Sequence, residues 1–164
     1  MIEFFYAMIP AYVANMAPVF ARRLPSTARL DFGFTLRGQP IFGAHKTWKG
    51  FITGTALGTI AGVLLAQAYW PFSFSALYWS FLISFGALTG DAIKSFFKRQ
   101  MKIKSGKSWI PFDQVDFTIG ALTVGSILYF PGIQTALIVI IVSALAHIVV
   151  NHAAFYLKIR GEKW

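Results

Sequence analysis

Cysteine is absent from this 164-residue chain, which removes disulfides, thiolate nucleophiles and Cys-ligated zinc from consideration. Charge is scarce as well. Only 13% of residues are charged against 56% hydrophobic, more apolar than a soluble domain of this length needs for its core. Acidic residues are the scarcest, 6 Asp plus Glu against 15 Lys plus Arg. The basic excess lies in three blocks, Arg22 to Lys49, Lys94 to Lys107 and Lys158 to Lys163, with long apolar runs between them. Such blocks suit anionic headgroups and phosphates and imply no nucleic-acid partner. No basic residue precedes the first apolar run and no convincing small-residue cleavage site follows it, so this run is expected to stay as a helix and not to be removed as a signal peptide. The chain has no internal repeat, and no loop is long enough to bury a second core.

A spanning helix needs about 20 predominantly apolar residues to cover a hydrocarbon layer of roughly 30 Å. Five segments meet this: about Ile2 to Ala21, Gly50 to Trp70, Phe74 to Phe97, Val115 to Phe130 and Ile133 to Leu157. The fourth is the shortest and is expected to begin nearer Asp113. Short apolar turns join the second segment to the third and the fourth to the fifth. The other links, about residues 22–49 and 98–112, are long and basic. Retention of Lys and Arg in cytoplasmic loops places both links and the tail 158–164 on one side, with the N-terminus out and the C-terminus in. The expected fold is therefore all-α, a polytopic transmembrane bundle of five spanning helices forming one integral domain over residues 1–164. It would be a multi-pass protein of the cell membrane, with its basic side in the cytoplasm. Gly54, Gly58 and Gly62 recur at four-residue spacing, which permits close approach between helices. Nothing in the sequence fixes an oligomeric state.

Asp91 and Lys94 fall inside the third apolar segment, where ionisable groups are costly unless they are paired or face a polar cavity. Asp91, Lys94 and Lys98 sit at i, i+3 and i+7, one helical face, with Ser95 beside them. This spacing fits an intrahelical ion pair with snorkelling lysines, and equally a site facing into protein. Asp113 and Asp116, at i and i+3, follow Pro111 at an expected helix start, so half of the 6 acidic residues converge at one membrane face. Asp113 could cap that helix. The three carboxylates could also hold a hard divalent cation such as Mg²⁺ together with substrate phosphates. Lys94, Lys98 and Arg99 would then hold phosphate oxygens, while Lys102, Lys104 and Lys107 read more simply as a solvated loop. Carboxylates and cations at one spot point to phosphoryl or nucleotidyl transfer. A small membrane transporter would also use intramembrane Asp and Lys. Asn15, just before Pro18, would sit near helix carbonyls left unpaired, and His147 and Asn151 share one face of the fifth segment. Each suits either interhelical hydrogen bonding or substrate contact. Asp31 lies in the first loop and outside these groups, and its replacement by Asn is expected to leave the protein active.

The stretch GDAIKSFFKRQMKIKS from Gly90 to Ser105, followed by DQVD from Asp113 to Asp116, resembles the signature of phosphatidate cytidylyltransferases. Gly90, Asp91, Ser95, Lys98, Arg99, Asp113 and Asp116 match it in order and spacing, and HKTWKG from His45 to Gly50 resembles that family's Lys-Lys-Thr-Trp-Glu-Gly. The family's His-Gly-Gly turn is missing before Asp113, Gln114 replaces Arg, and Lys49 replaces Glu. The short chain is similar to the compact archaeal relatives that make CDP-archaeol. The resemblance implies CTP and an anionic lipid phosphate, unsaturated archaetidic acid, as substrates within membrane lipids, with pyrophosphate leaving. It also implies Mg²⁺ held by Asp91, Asp113 and Asp116, with Lys94, Lys98 and Arg99 offsetting phosphate charge. Lys46, Thr47 and Ser95, with Asn15, His147 and Asn151, are the candidate substrate contacts. No motif separates an ether-linked isoprenoid from an acyl chain, so a phosphatidate cytidylyltransferase acting on acyl lipids is the alternative.

Overall fold

The first apolar run is helical but bent. The computed structural model describes residues 2–21, 28–104 and 107–157, and in it α1 spans Ile2–Ala7 and α2 spans Ile9–Ala21. Arg22, Arg23, Ser105 and the basic tail 158–164 lie outside the described residues. Pro10 explains the break at Met8: it has no N–H to donate back to the Tyr6 carbonyl, and its ring crowds the preceding turn. The Met8 N–H still donates to the Phe4 and Phe5 carbonyls at 3.0 and 3.1 Å, which keeps the two pieces one bent unit. Pro18 does not interrupt α2, which runs on to Ala21 as the first apolar segment was expected to.

Among the described residues four further helices follow: α3 (Trp48–Ala68), α4 (Ala76–Gln100), α5 (Phe112–Gly125) and α6 (Ile133–Tyr156). Three of the helices, α3, α4 and the Ile133–Ala153 part of α6, are long and apolar enough to cross a membrane. The 14 residues of α5, at about 1.5 Å each, reach about 21 Å, short of a roughly 30 Å hydrocarbon layer. The second basic link begins after Gln100 and not at Lys98. Lys98 and Arg99 occupy the last turn of α4, where cations suit the negative end of the helix dipole.

Close backbone contacts hold the bundle together. Gly54, Gly58 and Gly62 are buried in α3, and a Cβ at Gly54 would lie 2.8 Å from the Ala14 carbonyl oxygen of α2. Their expected packing role is the observed one. A second crossing, between α4 and α5, is built from Gly86, Gly90 and Gly120. At one end of the bundle Trp79 is fully buried and donates its indole N–H to the Ala7 carbonyl at 2.8 Å. Phe4, Phe72, Phe74 and Tyr129 surround it there, beside the two short interhelical turns.

The fold is predominantly helical as expected, and the first basic loop adds a small folded element of its own. Thr35–Leu36 and Gln39–Pro40 pair as an antiparallel hairpin, β1 and β2. Arg37 and Gly38 turn it with φ of 52° and 74°, the two positive values that a tight two-residue hairpin requires. Asp31 is the clasp of this loop. Only 4% exposed, its carboxylate accepts the N–H groups of Gly33, Phe42 and Gly43 at 3.0, 2.9 and 3.0 Å. The loop's ends are tied as well, Leu30 N–H to the Lys46 carbonyl at 2.8 Å and Trp48 N–H to Ala28 at 3.1 Å. Burial alone would raise the Asp31 carboxyl, but the N–H donors and Arg29 outweigh it and hold the group below its usual value. Since the folded value is the lower one, this stabilisation is present above the ordinary carboxylate range and is lost as pH falls through the folded value. Asp31→Asn puts an NH₂ donor against N–H donors. Hydrogen bonds to charged groups are worth about 1.5–3 kcal/mol, so thermal stability and loop resistance to protease should both fall. An Asp31→Asn protein with unchanged melting and proteolysis would show the clasp to be unimportant.

Candidate active site

Helical periodicity carries Asp91, Lys94 and Lys98 along one face of α4, and that face meets the first turns of α5. Lys94 is the hub. Its ammonium lies 2.8 Å from Asp113 Oδ1, 2.9 Å from Asp116 Oδ2 and 3.3 Å from Asp91 Oδ1. Lys98 reaches Asp113 Oδ2 at 3.1 Å. Lys46, delivered by the clasped first loop, pairs with the other oxygen of Asp91. Asp116 is the most secluded carboxylate of the cluster, 7% exposed at its side chain. The intrahelical pair allowed by the i, i+3 spacing is therefore real, but it is one edge of a cluster drawing on α4, α5 and the loop.

Asp113 is not the helix cap. Pro111 holds that position and Asp113 lies in the first turn, where its Oδ2 accepts the Trp109 N–H at 2.5 Å. Asp116 Oδ1 accepts the Phe117 N–H at 2.7 Å. Each carboxylate thus has one oxygen held by backbone and another turned toward a lysine, which fixes both carboxylates before any ligand arrives.

The other residues singled out from sequence are placed as follows. Thr47 caps α3, its Oγ1 accepting the Gly50 N–H at 3.1 Å, and Ser95 donates to the Asp91 carbonyl at 2.9 Å. The stem of Arg99 lies against Gly43 of the first loop, within 3.4 Å of where a Cβ would stand. His147 meets Phe117, the neighbour of Asp116, edge-on at 6.1 Å between centroids. Asn151 is one turn further along α6, and Asn15 is half-buried on α2.

Three carboxylates from two helices converge on a single cationic point, which is the donor chemistry of a hard divalent ion. Among the described residues no carboxylate or histidine group is already spaced to hold a metal ion, because the Lys94 ammonium stands at the point of convergence. The set fits such an ion once phosphates compete for the lysines. Three acids facing three ammonium groups are balanced as they stand, and anions that draw off the lysines leave the acids in need of another cation.

An apolar groove of about 480 Å³ runs from this cluster along the α4–α5 face, walled by Ile93, Phe97, Phe112, Ile119 and Val124. Lys94 and Asp116 line the same groove. A smaller pocket lies between the loop and the helices, lined by His45, Lys46, Thr47 and Asp91 among others. The groove was not foreseen from sequence. Its walls look like any lipid-facing helix stripe, and only the Gly86/Gly90 spacing hinted that α5 would cross α4 there.

Over residues 1–164 the chain matches the family model described as CarS-like: CDP-archaeol synthase. A CDP-archaeol synthase of Thermofilum pendens is 39% identical over 163 residues, 96% of this chain and 78% of that protein. One from Pyrococcus furiosus is 36% identical over 166 residues, 99% of this chain and 98% of that protein. A solved structure described as structural insight into an intramembrane enzyme for archaeal membrane lipids biosynthesis is similar with a TM-score of 0.81 and 34% identity, covering 92% of this chain and 94% of that one.

Proposed function

This chain belongs to the CDP-archaeol synthase family, and on that premise we propose that it is a CTP-dependent cytidylyltransferase converting unsaturated archaetidic acid to CDP-archaeol. The observation that carries the assignment to particular residues is the convergence of Asp91, Asp113 and Asp116 on Lys94 at the mouth of an apolar groove. Family membership does not favour a transporter or an enzyme acting on acyl lipids.

In the reaction an oxygen of the lipid phosphate attacks the α-phosphorus of CTP, the new P–O bond forms, the α–β bond breaks and pyrophosphate leaves with its electron pair. The nucleophile is already anionic, so no general base is required. Placement and neutralisation set the rate. Lys94 and Lys98 turn from their carboxylates toward phosphate oxygens, Lys46 approaches the triphosphate from the loop, and Arg99 steadies the loop through Gly43. Asp91, Asp113 and Asp116 would hold Mg²⁺, which when bound supplies further charge neutralisation at the reacting phosphates. Ser95 and Thr47, bonded to backbone, would shape the site, while Asn15, His147 and Asn151 would line the approach of substrate. The groove would receive the lipid chains sideways from the bilayer and leave the headgroup at Lys94.

The same reading makes the protein a single multi-pass domain of the cell membrane. Its first run and α5 would complete five crossings, with the N-terminus outside and the site, both basic links and the tail in the cytoplasm. The gathering of the first loop and the α4–α5 junction at one end of the bundle supports this orientation, since positive charge is retained on the cytoplasmic side. Purified protein in detergent should release pyrophosphate from CTP or dCTP, in preference to ATP, only when an archaetidic acid analogue is present. Chelator should abolish release and Mg²⁺ or Mn²⁺ restore it. Equal use of ATP would overturn the nucleotide assignment, and full activity in excess EDTA would remove the metal from the reaction.

A further inference from the structure

The first loop displays apolar side chains that its own fold does not bury. Phe32, Phe34 and Leu36 are 70%, 67% and 45% exposed. Phe34 directly precedes β1, and its carbonyl accepts the Ile41 N–H at 3.2 Å, which continues the hairpin pairing, so Phe34 and Leu36, two residues apart, project from one face. Phe32, held at a φ of 50°, brings its ring to 5.8 Å from that of Trp48. Trp48 opens α3 and shares a helical face with Ile52, which is 61% exposed. On a helix that crosses the bilayer, that exposed face meets lipid, and a Trp at its end occupies the level of the headgroups. The ring contact makes the loop's apolar cluster continuous with this lipid-facing stripe. Arg29 and Arg37, both exposed, flank the cluster, and a leaflet of anionic lipid offers them counter-charges.

We propose that the segment from Phe32 to Leu36 is an interfacial anchor that sinks Phe32, Phe34 and Leu36 among the lipid headgroups beside α3, with Arg29 and Arg37 on lipid phosphates. Its occupant is the bilayer surface itself. The anchor holds the clasped loop, and with it Lys46, at the depth where a lipid phosphate resides. The inference rests on α3 crossing the membrane and not on the reaction assigned to the site, so its test is independent of catalysis.

The absence of cysteine lets one introduced thiol report without background. Spin labels at Phe34→Cys, Leu36→Cys, Thr35→Cys and Ile52→Cys would be compared in the full chain, one copy per nanodisc of phosphatidylcholine and phosphatidylglycerol. Collision with oxygen reports lipid, and collision with an aqueous nickel chelate reports water. Labels at 34 and 36 should resemble the lipid reference at 52 and differ from 35 on the opposite strand face. Labels at 34 and 36 as open to nickel as that at 35 would overturn the proposal. Hydroxyl-radical footprinting of the unaltered protein in the same nanodiscs guards against a label that disturbs the hairpin. Phe32 and Phe34 should be protected there, and oxidation in proportion to their 70% and 67% exposure would also overturn it. Protection that appears only when discs hold two copies would assign the patch to a second chain and reject the lipid anchor.

Discussion

Asp113→Asn and Asp116→Asn should each yield a folded, extractable protein whose pyrophosphate release is reduced by roughly a hundredfold or more, the scale on which a key electrostatic group acts. The amide can keep the acceptor oxygen that holds Trp109 N–H at 2.5 Å or Phe117 N–H at 2.7 Å, so the start of α5 should persist. The charge is lost. Asparagine cannot balance Lys94, which stands 2.8 Å from Asp113 and 2.9 Å from Asp116, and it is a poor ligand for a hard cation. Asp91→Asn should behave likewise while releasing Lys46. Asp31 cannot serve as the neutral comparison, because it clasps the loop that supplies Lys46. Glu3 can: its carboxylate accepts the Tyr69 hydroxyl at 2.8 Å, away from the cluster, and Glu3→Gln should stay active. Near-normal turnover in Asp113→Asn and Asp116→Asn would mean that the centre lies elsewhere, with the first loop the next place to look.

The helices and the acid–base cluster were legible in the sequence for the same reason, that both are periodic. Apolar runs of spanning length marked the segments, and the i, i+3 pairs Asp91/Lys94 and Asp113/Asp116 marked the two helix faces that meet. Order along the chain could also be read through the family resemblance, which brought Lys46 into the site. What periodicity does not carry is pairing across long separations. Nothing local says that Lys46 neutralises Asp91, 45 residues away, or that a lone Asp31 gathers three N–H groups from its own loop. The choice between two prolines was equally hidden. Both Pro10 and Pro18 remove a helical donor, yet the helix breaks only at Met8, where Pro10 also packs against the Gly62 region of α3. Arg99 matched a motif position, but its stem lies against Gly43, so its neighbourhood is the loop more than the carboxylates.

Gly120→Ala should damage catalysis more than its single added methyl suggests. Gly120 lies one helical turn beyond Asp116, where α5 crosses α4. A Cβ there would be driven into the Gly86 carbonyl oxygen and would stand 2.7 Å from the Gly90 Cα. These are backbone atoms of a packed helix and cannot rotate aside, so the helices must separate. Overpacking of this kind costs about 1–3 kcal/mol. The functional cost is separate, because Asp91 follows Gly90 directly and Asp116 precedes Gly120 by one turn. Spreading the crossing therefore pulls the carboxylates of α4 and α5 apart, and a displacement of about 1 Å at reacting groups can cost on the order of a hundredfold in rate. Gly62→Ala is the matching insult elsewhere. Its Cβ would meet Ser80 and come within 2.6 Å of the Pro10 ring, at the α2–α3–α4 contact roughly 20 Å of helix rise beyond Trp48. Both variants should melt earlier than the parent. Only Gly120→Ala should also lose kcat per folded molecule, measured as pyrophosphate release normalised to the fraction that remains monodisperse in detergent. Equal kcat in the two variants would sink the idea that the glycine crossing sets the spacing of the carboxylates, and would reduce Gly86, Gly90 and Gly120 to packing alone.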